Sequence, residues 1–128
     1  MMNSWVKMTA MPYKIFRHSS VSYKNKIYLF GGEISTEDGD LSQSKITLKF
    51  DGTLWESGPE MINFRHGHKS IVLENMIFHI GGFSENKVER WVFNGNDLLI
   101  DESFPYLDKW IEPSAFLVPD NYYLTCNL

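Results

Sequence analysis

The chain holds a single cysteine, Cys126, so no internal disulfide can staple it, and no Cys/His spacing suits a structural zinc. Asn-x-Ser/Thr is absent. The 12 basic side chains are scattered among 16 acidic ones, for a net charge of −4, so there is no clustered basic face of the kind nucleic acids and anionic membranes need. The opening stretch, MMNSWVKMTAMPYK, lacks the uninterrupted apolar core of a signal peptide, and no apolar run approaches the length of a membrane span. Convincing helical periodicity is missing throughout. These absences lead to the expectation of a soluble, cytoplasmic domain with no nucleic-acid or membrane partner, no metal and no cofactor. At 128 residues there is room for one domain with a core of ordinary size.

What the chain does have is self-similarity. The run IYLFGG at 27–32 returns as IFHIGG at 77–82. A shift of fifty places aligns Trp5 with Trp55, Met11 with Met61, His18 with His68, Ser20 with Ser70 and Val21 with Ile71. It also aligns Asn25 with Asn75, Ile27 with Ile77, Tyr28 with Phe78, Phe30 with Ile80, and both Gly-Gly pairs. Eleven matches within 28 positions, without a gap, describe a repeat.

Each unit reads as short strands. HSSVSY (18–23) and HKSIVL (68–73) are followed by an Asn-containing break and then by the glycine-terminated strand. In KITLKF (45–50) the apolar Ile46, Leu48 and Phe50 alternate with Lys45, Thr47 and Lys49, the period of a strand with one buried face. VERWVF (88–93) takes that place in the second unit, with Phe93 answering to Phe50. The dipeptides Asp51-Gly52 and Asn94-Gly95 follow, and these favour tight hairpin turns. TLWES (53–57) closes the first unit as a fourth strand.

This order of features resembles the kelch repeat: a strand ending in Gly-Gly, an aromatic-ended strand, a tight turn, Trp, a Pro/Met segment and Arg-x-x-His. The resemblance covers essentially residues 5–126. It implies an all-β fold of kelch-type β-propeller blades, each a four-stranded antiparallel meander. The units run 5–57, 58–101 and 102–128, the third being partial: SAFLV and NYYLT resemble its first strands, while Cys126 and Asn127 stand where glycines are expected. Two full blades and a part are fewer than the four to eight typical of a closed propeller, so the expectation is an incomplete propeller. The readings left open are a fragment with missing blades, a relic, and self-assembly through a terminal strand. Stacked blades cover a middle strand on both sides, which accounts for the unalternating Ile27–Phe30. The glycines then mark a crowded exit from that strand, and Trp5 and Trp55 are expected in the core.

The resemblance also implies a protein-binding module, working through segments that precede first strands or follow the glycines. Candidate contacts are Arg65 above all, with Arg17, Tyr13, Asn63, Glu33 and Phe83. An arginine at the start of a first strand can hold a carboxylate bidentately, the alternative for Arg65 being a surface pair with Glu60 or Glu85. A substrate-recognition role in a ubiquitin-ligase adaptor and a cytoskeleton-binding role both fit the family. The other class is a fragment of a propeller enzyme, a metal-dependent oxidase or sugar isomerase. His18, His66, His68, His79 and the Tyr122, Tyr123 and Cys126 group prompt that thought. Since His18 and His68 repeat in step with the blade, they are read as a recurring structural hydrogen bond, and no catalytic residue is assigned. The acidic stretch 33–44 is expected to be a solvated, mobile loop, with a counterpart seven residues shorter in the second unit.

Overall fold

The computed structural model describes residues 4–83, 87–94 and 97–105. In chain order the strands are β1 (Ile15–Phe16), β2 (Ser19–Tyr23), β3 (Lys26–Phe30), β4 (Glu33–Ser35), β5 (Leu41–Gln43), β6 (Thr47–Phe50) and β7 (Trp55–Ser57). They continue with β8 (Lys69–Leu73), β9 (Met76–Ile80), β10 (Lys87–Asn94) and β11 (Asp97–Pro105). No helix occurs among the described residues, and all strand pairing is antiparallel. Two four-stranded meanders, β2-β3-β6-β7 and β8-β9-β10-β11, are the two kelch-type blades.

The fifty-residue repeat is kept in the hydrogen-bond register. Ser20 pairs with Leu29 and Ser70 with His79; Tyr23 pairs with Lys26 and Leu73 with Met76. The first of these hairpins turns through Lys24 and Asn25, both at positive φ, as a primed two-residue turn requires. At the next strand the correspondence differs from the sequence reading. Ile27 pairs with Phe50, but Ile77 pairs with Trp91, so Trp91 and not Phe93 answers to Phe50. The path from Ile27 to Phe50 takes 23 steps and that from Ile77 to Trp91 takes 14, a connection nine residues shorter and not seven. The second meander also runs past the expected boundary at 101, since β10 and β11 pair from Asn94↔Asp97 to Lys87↔Pro105. The expected turn at Gly95 and the strands of the third unit lie outside the described residues.

The blades meet face to face. Tyr28 and Phe30 of β3 pack with Met61, Ile77, Trp91 and Phe93, and Phe30 meets the Trp91 ring edge-on at 5.5 Å. At the seam, the Ser70 N–H donates to Ser19 Oγ at 2.7 Å. The opposite face of the first blade buries Leu29 and Leu48 under Ile15, with Ile34, Ile46 and Trp55 at the margin. The middle strand is therefore covered on both sides over Tyr28–Phe30, whereas Ile27 is exposed. The tryptophans depart from expectation. Trp5 is fully exposed because no strand of the described chain lies against it; Trp55 is half-buried, stacked on Phe50 at 4.8 Å and donating Nε1–H to Thr9 O at 3.2 Å.

The Gly-Gly exits are as crowded as the repeat implied. Gly31 and Gly32 have φ of 60° and 95°, and Gly81 and Gly82 have 66° and 98°. A Cβ on Gly32 would lie 2.5 Å from Phe16 O, and one on Gly82 would lie 2.8 Å from His66 O, the matching atom fifty residues on.

Candidate partner-binding mouth

The glycine exits turn the chain so that residues 33 and 83 meet the segments that enter β2 and β8. Phe16 pairs with Glu33 in the first blade, and His66 bridges to Phe83 in the second. A further bond, Gly67 N–H to Arg17 O at 2.8 Å, ties the two entry segments together. Side chains from both blades thus gather at one end of the seam. His66 and Phe83 stack at 4.8 Å, nearly parallel, and the Arg17 guanidinium lies 5.8 Å from the same Phe83 ring. Arg17 Nη1 reaches Glu33 Oε2 at 3.4 Å, and His66 Nε2 lies 3.9 Å from Glu33 Oε1. Half of the Arg17 side chain remains exposed, at 52%. Three of the residues named from sequence, Arg17, Glu33 and Phe83, therefore form one cluster, in which the Arg17 guanidinium is the exposed group while Glu33 is largely covered and the Phe83 ring stacks on buried His66.

Tyr13 belongs to a different feature. Stretch 33–44 is not a mobile loop but an ordered hairpin: β4 and β5 pair from Glu33↔Gln43 to Ser35↔Leu41, and β1 adds a third strand. The acidic tip is closed by Thr36 N–H to Asp40 O at 2.8 Å and Gly39 N–H to Thr36 O at 3.1 Å. Local backbone bonding thus organises a segment whose composition alone suggested a solvated coil. Between this hairpin and the entry to the second blade lies a cleft of about 460 Å³, with Tyr13, Ile34, Lys45, Glu60 and Phe64 among its walls. Asn63 sits half-buried in a bend and joins neither group.

Arg65 is not a surface contact. Its side chain is 0% exposed, with Nη1–H donated to Gly81 O at 2.6 Å and Nη2 4.0 Å from Glu89 Oε2. Glu89, equally buried, is the carboxylate beside it; of the surface pairings foreseen as the alternative, Glu85 lies outside the described residues. Glu89 Oε1 accepts from Ile62 N–H at 3.0 Å and from Trp91 Nε1–H at 2.7 Å, so it anchors the connection between the blades. The sequence held a signal for this: in VERWVF, Glu89 shares a strand face with Trp91 and Phe93, which packs inward.

The histidines do not make the recurring hydrogen bond expected of them. Among the described residues neither ring nitrogen of His68 meets a partner, while His79 Nδ1 shares a 2.8 Å bond with Ser70 Oγ. Burial, reinforced by the nearby Arg65 charge, pushes the His68 pKa down to about 3. His79 is held well below its ordinary value by burial first, then by His68 and Arg65, and His18 is lowered by burial. These imidazoles are neutral at pH 7. Among the described residues no group of three or more His, Cys, Asp or Glu is arranged to hold a metal ion. Tyr122, Tyr123 and Cys126 lie outside the described residues. No helix among those residues is long and apolar enough to cross a membrane.

Residues 15–61, the first blade with its hairpin, match the family model described as the Kelch motif. Kelch-like protein 38 of Rattus norvegicus is 29% identical over 84 residues, covering 65% of this chain and 14% of its own length. Kelch-like protein 23 of Mus musculus is 29% identical over 110 residues, 84% of this chain and 17% of its length. A putative F-box/kelch-repeat protein of Arabidopsis thaliana is 37% identical over 71 residues, 56% of this chain and 18% of its length. The chain thus spans less than a fifth of the relatives it matches. With its two in-register blades and their Gly-Gly exits, the chain is similar to kelch-repeat proteins and carries their motif over residues 15–61.

Proposed function

We propose that this chain is a protein-interaction module that receives a partner at the mouth formed by Arg17, Glu33, His66 and Phe83. The observation that carries the reading is the convergence of an exposed guanidinium, a carboxylate and a stacked aromatic pair from two blades onto one surface. Arginine and aromatic side chains are the groups that dominate protein interfaces. The absence of a basic face makes a protein partner a better fit than a nucleic acid, and a cytoplasmic setting accords with the single cysteine. A substrate-recognition role within a ubiquitin-ligase adaptor is the finer form of this reading, in keeping with the family; cytoskeletal binding is its competitor.

The test is quantitative affinity capture with the full chain and two variants. Arg17→Glu reverses the mouth's exposed cation, and Glu56→Lys alters charge on β7, away from the mouth. Proteins retained by the wild type and by Glu56→Lys, but lost from Arg17→Glu, are expected. Identical captured sets for all three would remove the mouth from consideration.

A further inference from the structure

The hairpin at the rim carries an unused edge. Ser44 N–H donates to Gly32 O at 2.9 Å, and Thr36 N–H to Asp40 O at 2.8 Å, on either side of the three β4–β5 pairs. Antiparallel ladders alternate bonded and non-bonded pairs. Ser42 therefore directs its N–H and C=O inward to Ile34, while Leu41 and Gln43 direct theirs outward. The bond from Ser35 N–H to Lys14 O at 3.1 Å agrees, since it shows that Ser35 of β4 faces β1. Among the described residues nothing hydrogen-bonds to the outward groups of Leu41 and Gln43. All three residues of β5 are exposed, Leu41 by 56%. Natural edges are usually blunted by charge, proline or a bulge, and Leu-Ser-Gln has none of these. The outer strand of the same blade, β7, does carry a guard: Glu56 paired with Lys49 at 2.6 Å.

We propose that two copies of this chain associate through β5, antiparallel, about a twofold axis at Ser42. Only another extended backbone satisfies a row of outward N–H and C=O groups. A twofold arrangement makes the interface self-complementary. It sets Ser42 against Ser42 of the second copy and Leu41 against Gln43, so that every outward group of both strands finds a partner. Charge favours the same register. Followed past the end of the strand, it brings Asp38 and Asp40 of one hairpin tip beside the Ser44–Ile46 segment of the second copy. There they flank Lys45, whose ammonium lies 4.8 Å from the Phe64 ring in the cleft wall. The strand is short, and the contact falls below the ~1,000 Å² of a stable interface. Self-association is therefore expected to set in at roughly 0.1–1 mM chain, and lower where copies are held together.

The test uses the full chain with Cys126→Ser as background. Directly opposed residues of a non-bonded pair have Cα atoms ~4.5 Å apart, within the roughly 4.4–6.8 Å a disulfide spans. Ser42→Cys is expected to cross-link at least about tenfold faster than Leu41→Cys, which stands out of register with its own mate. A charge exchange makes the result independent of any folding defect. Leu41→Lys/Gln43→Lys and Leu41→Glu/Gln43→Glu should each sediment as monomers, while their mixture forms heterodimers. Equal cross-linking at positions 41 and 42, or a monomer in sedimentation up to 1 mM, overturns the proposal. So does a chain that stays monomeric while a foreign protein protects the Leu41 and Gln43 amides from hydrogen exchange, which would assign the edge to a strand of that protein.

Discussion

Ile15, Leu29 and Leu48 in the first blade occupy the positions that Arg65, His79 and Glu89 hold in the second. The first trio is a buried apolar cluster, and the second is an equally buried polar one. Backbone register is the same, and chemistry is opposite. The difference follows from what each face meets. The first trio is capped by its own blade's hairpin residue Ile34 and by Ile46, which have nothing to donate. The second faces the interblade connection, where the Ile62 N–H and the Trp91 indole both require an acceptor. A carboxylate supplies it, and a carboxylate in that place requires a cation nearby. Repeats of this kind preserve where the strands go and leave each interface free to choose its own means of closure.

The largest effect should come from breaking the polar trio one member at a time. Arg65→Ala strands the Glu89 charge in the seam and is expected to cost about 3–5 kcal/mol in urea unfolding. The triple change Arg65→Ile, His79→Leu and Glu89→Leu copies the first blade's solution and removes the charges together. It should recover part of that loss and no more, because the Ile62 N–H and the Trp91 indole are left without an acceptor. A triple variant no more stable than Arg65→Ala would show that the two closures are not interchangeable.

Acid should open the same contrast. His68 and His79 have folded-state pKa values depressed from 6.5, His68 to about 3, so protons bind the unfolded chain more tightly. The stability these neutral imidazoles allow is complete above pH 6.5 and declines as pH falls, for His68 by about 1.4 kcal/mol per pH unit down to about pH 3. His68 alone would remove about 2 kcal/mol by pH 5, and His79 adds to the loss in the same direction. The slope of unfolding free energy against pH between 6 and 4 should become shallower in His79→Leu. An unchanged slope would place the protons elsewhere.

Smaller, and equal in the two blades, should be the penalty for filling the glycine exits. Gly32→Ala and Gly82→Ala press a Cβ against Phe16 O and His66 O from a left-handed backbone. Each is expected to cost roughly 1–3 kcal/mol. Gly39→Ala at the hairpin tip, with nothing within 4 Å of its Cβ, should be milder. Unequal costs at 32 and 82 would mean that the exits are not equivalent.

How far these features could be read in advance depended on their physical origin. The blades were legible because Gly-Gly, the period-2 alternation and the Asn turns are local requirements repeated fifty residues apart. The mouth was legible in part: Arg17, Glu33 and Phe83 lie where the repeat places its end loops, and the structure brings them together. His66 escaped notice as a member, since its role comes from the Phe83 ring stacked on it, a neighbour that neither residue's own sequence context implies. Arg65 was misplaced for a related reason. A charged residue at a motif's edge reads as exposed, whereas the distant Glu89 and the Gly81 carbonyl help to make its burial affordable. The β10 register slipped by two because aromatic residues at 91 and 93 fit the same alternation, and pairing with Ile77 decides between them. The hairpin at 33–44 was hidden by its acidic composition, while its order comes from backbone bonds that composition does not report.

The smallest effect separates the two blades at a single residue. Arg17 adopts φ of 50° at the position where the second repeat places Gly67, φ 62°. A side chain in the left-handed region is disfavoured by about 1–2 kcal/mol relative to glycine, and strained non-glycine residues of this kind gather at functional sites. The strain has a use if Arg17 is kept for the charge it presents over Phe83. Arg17→Gly is then expected to raise stability by about 1 kcal/mol and to lose the captured partner. Arg17→Lys should keep the strain and part of the binding, because an ammonium retains the charge but not the planar fork. The mirror change, Gly67→Arg, should destabilise by a similar amount and confer no new binding. If Arg17→Gly captures the same proteins as the wild type, the guanidinium is incidental to recognition, and the first blade departs from the second here for reasons unconnected with a partner.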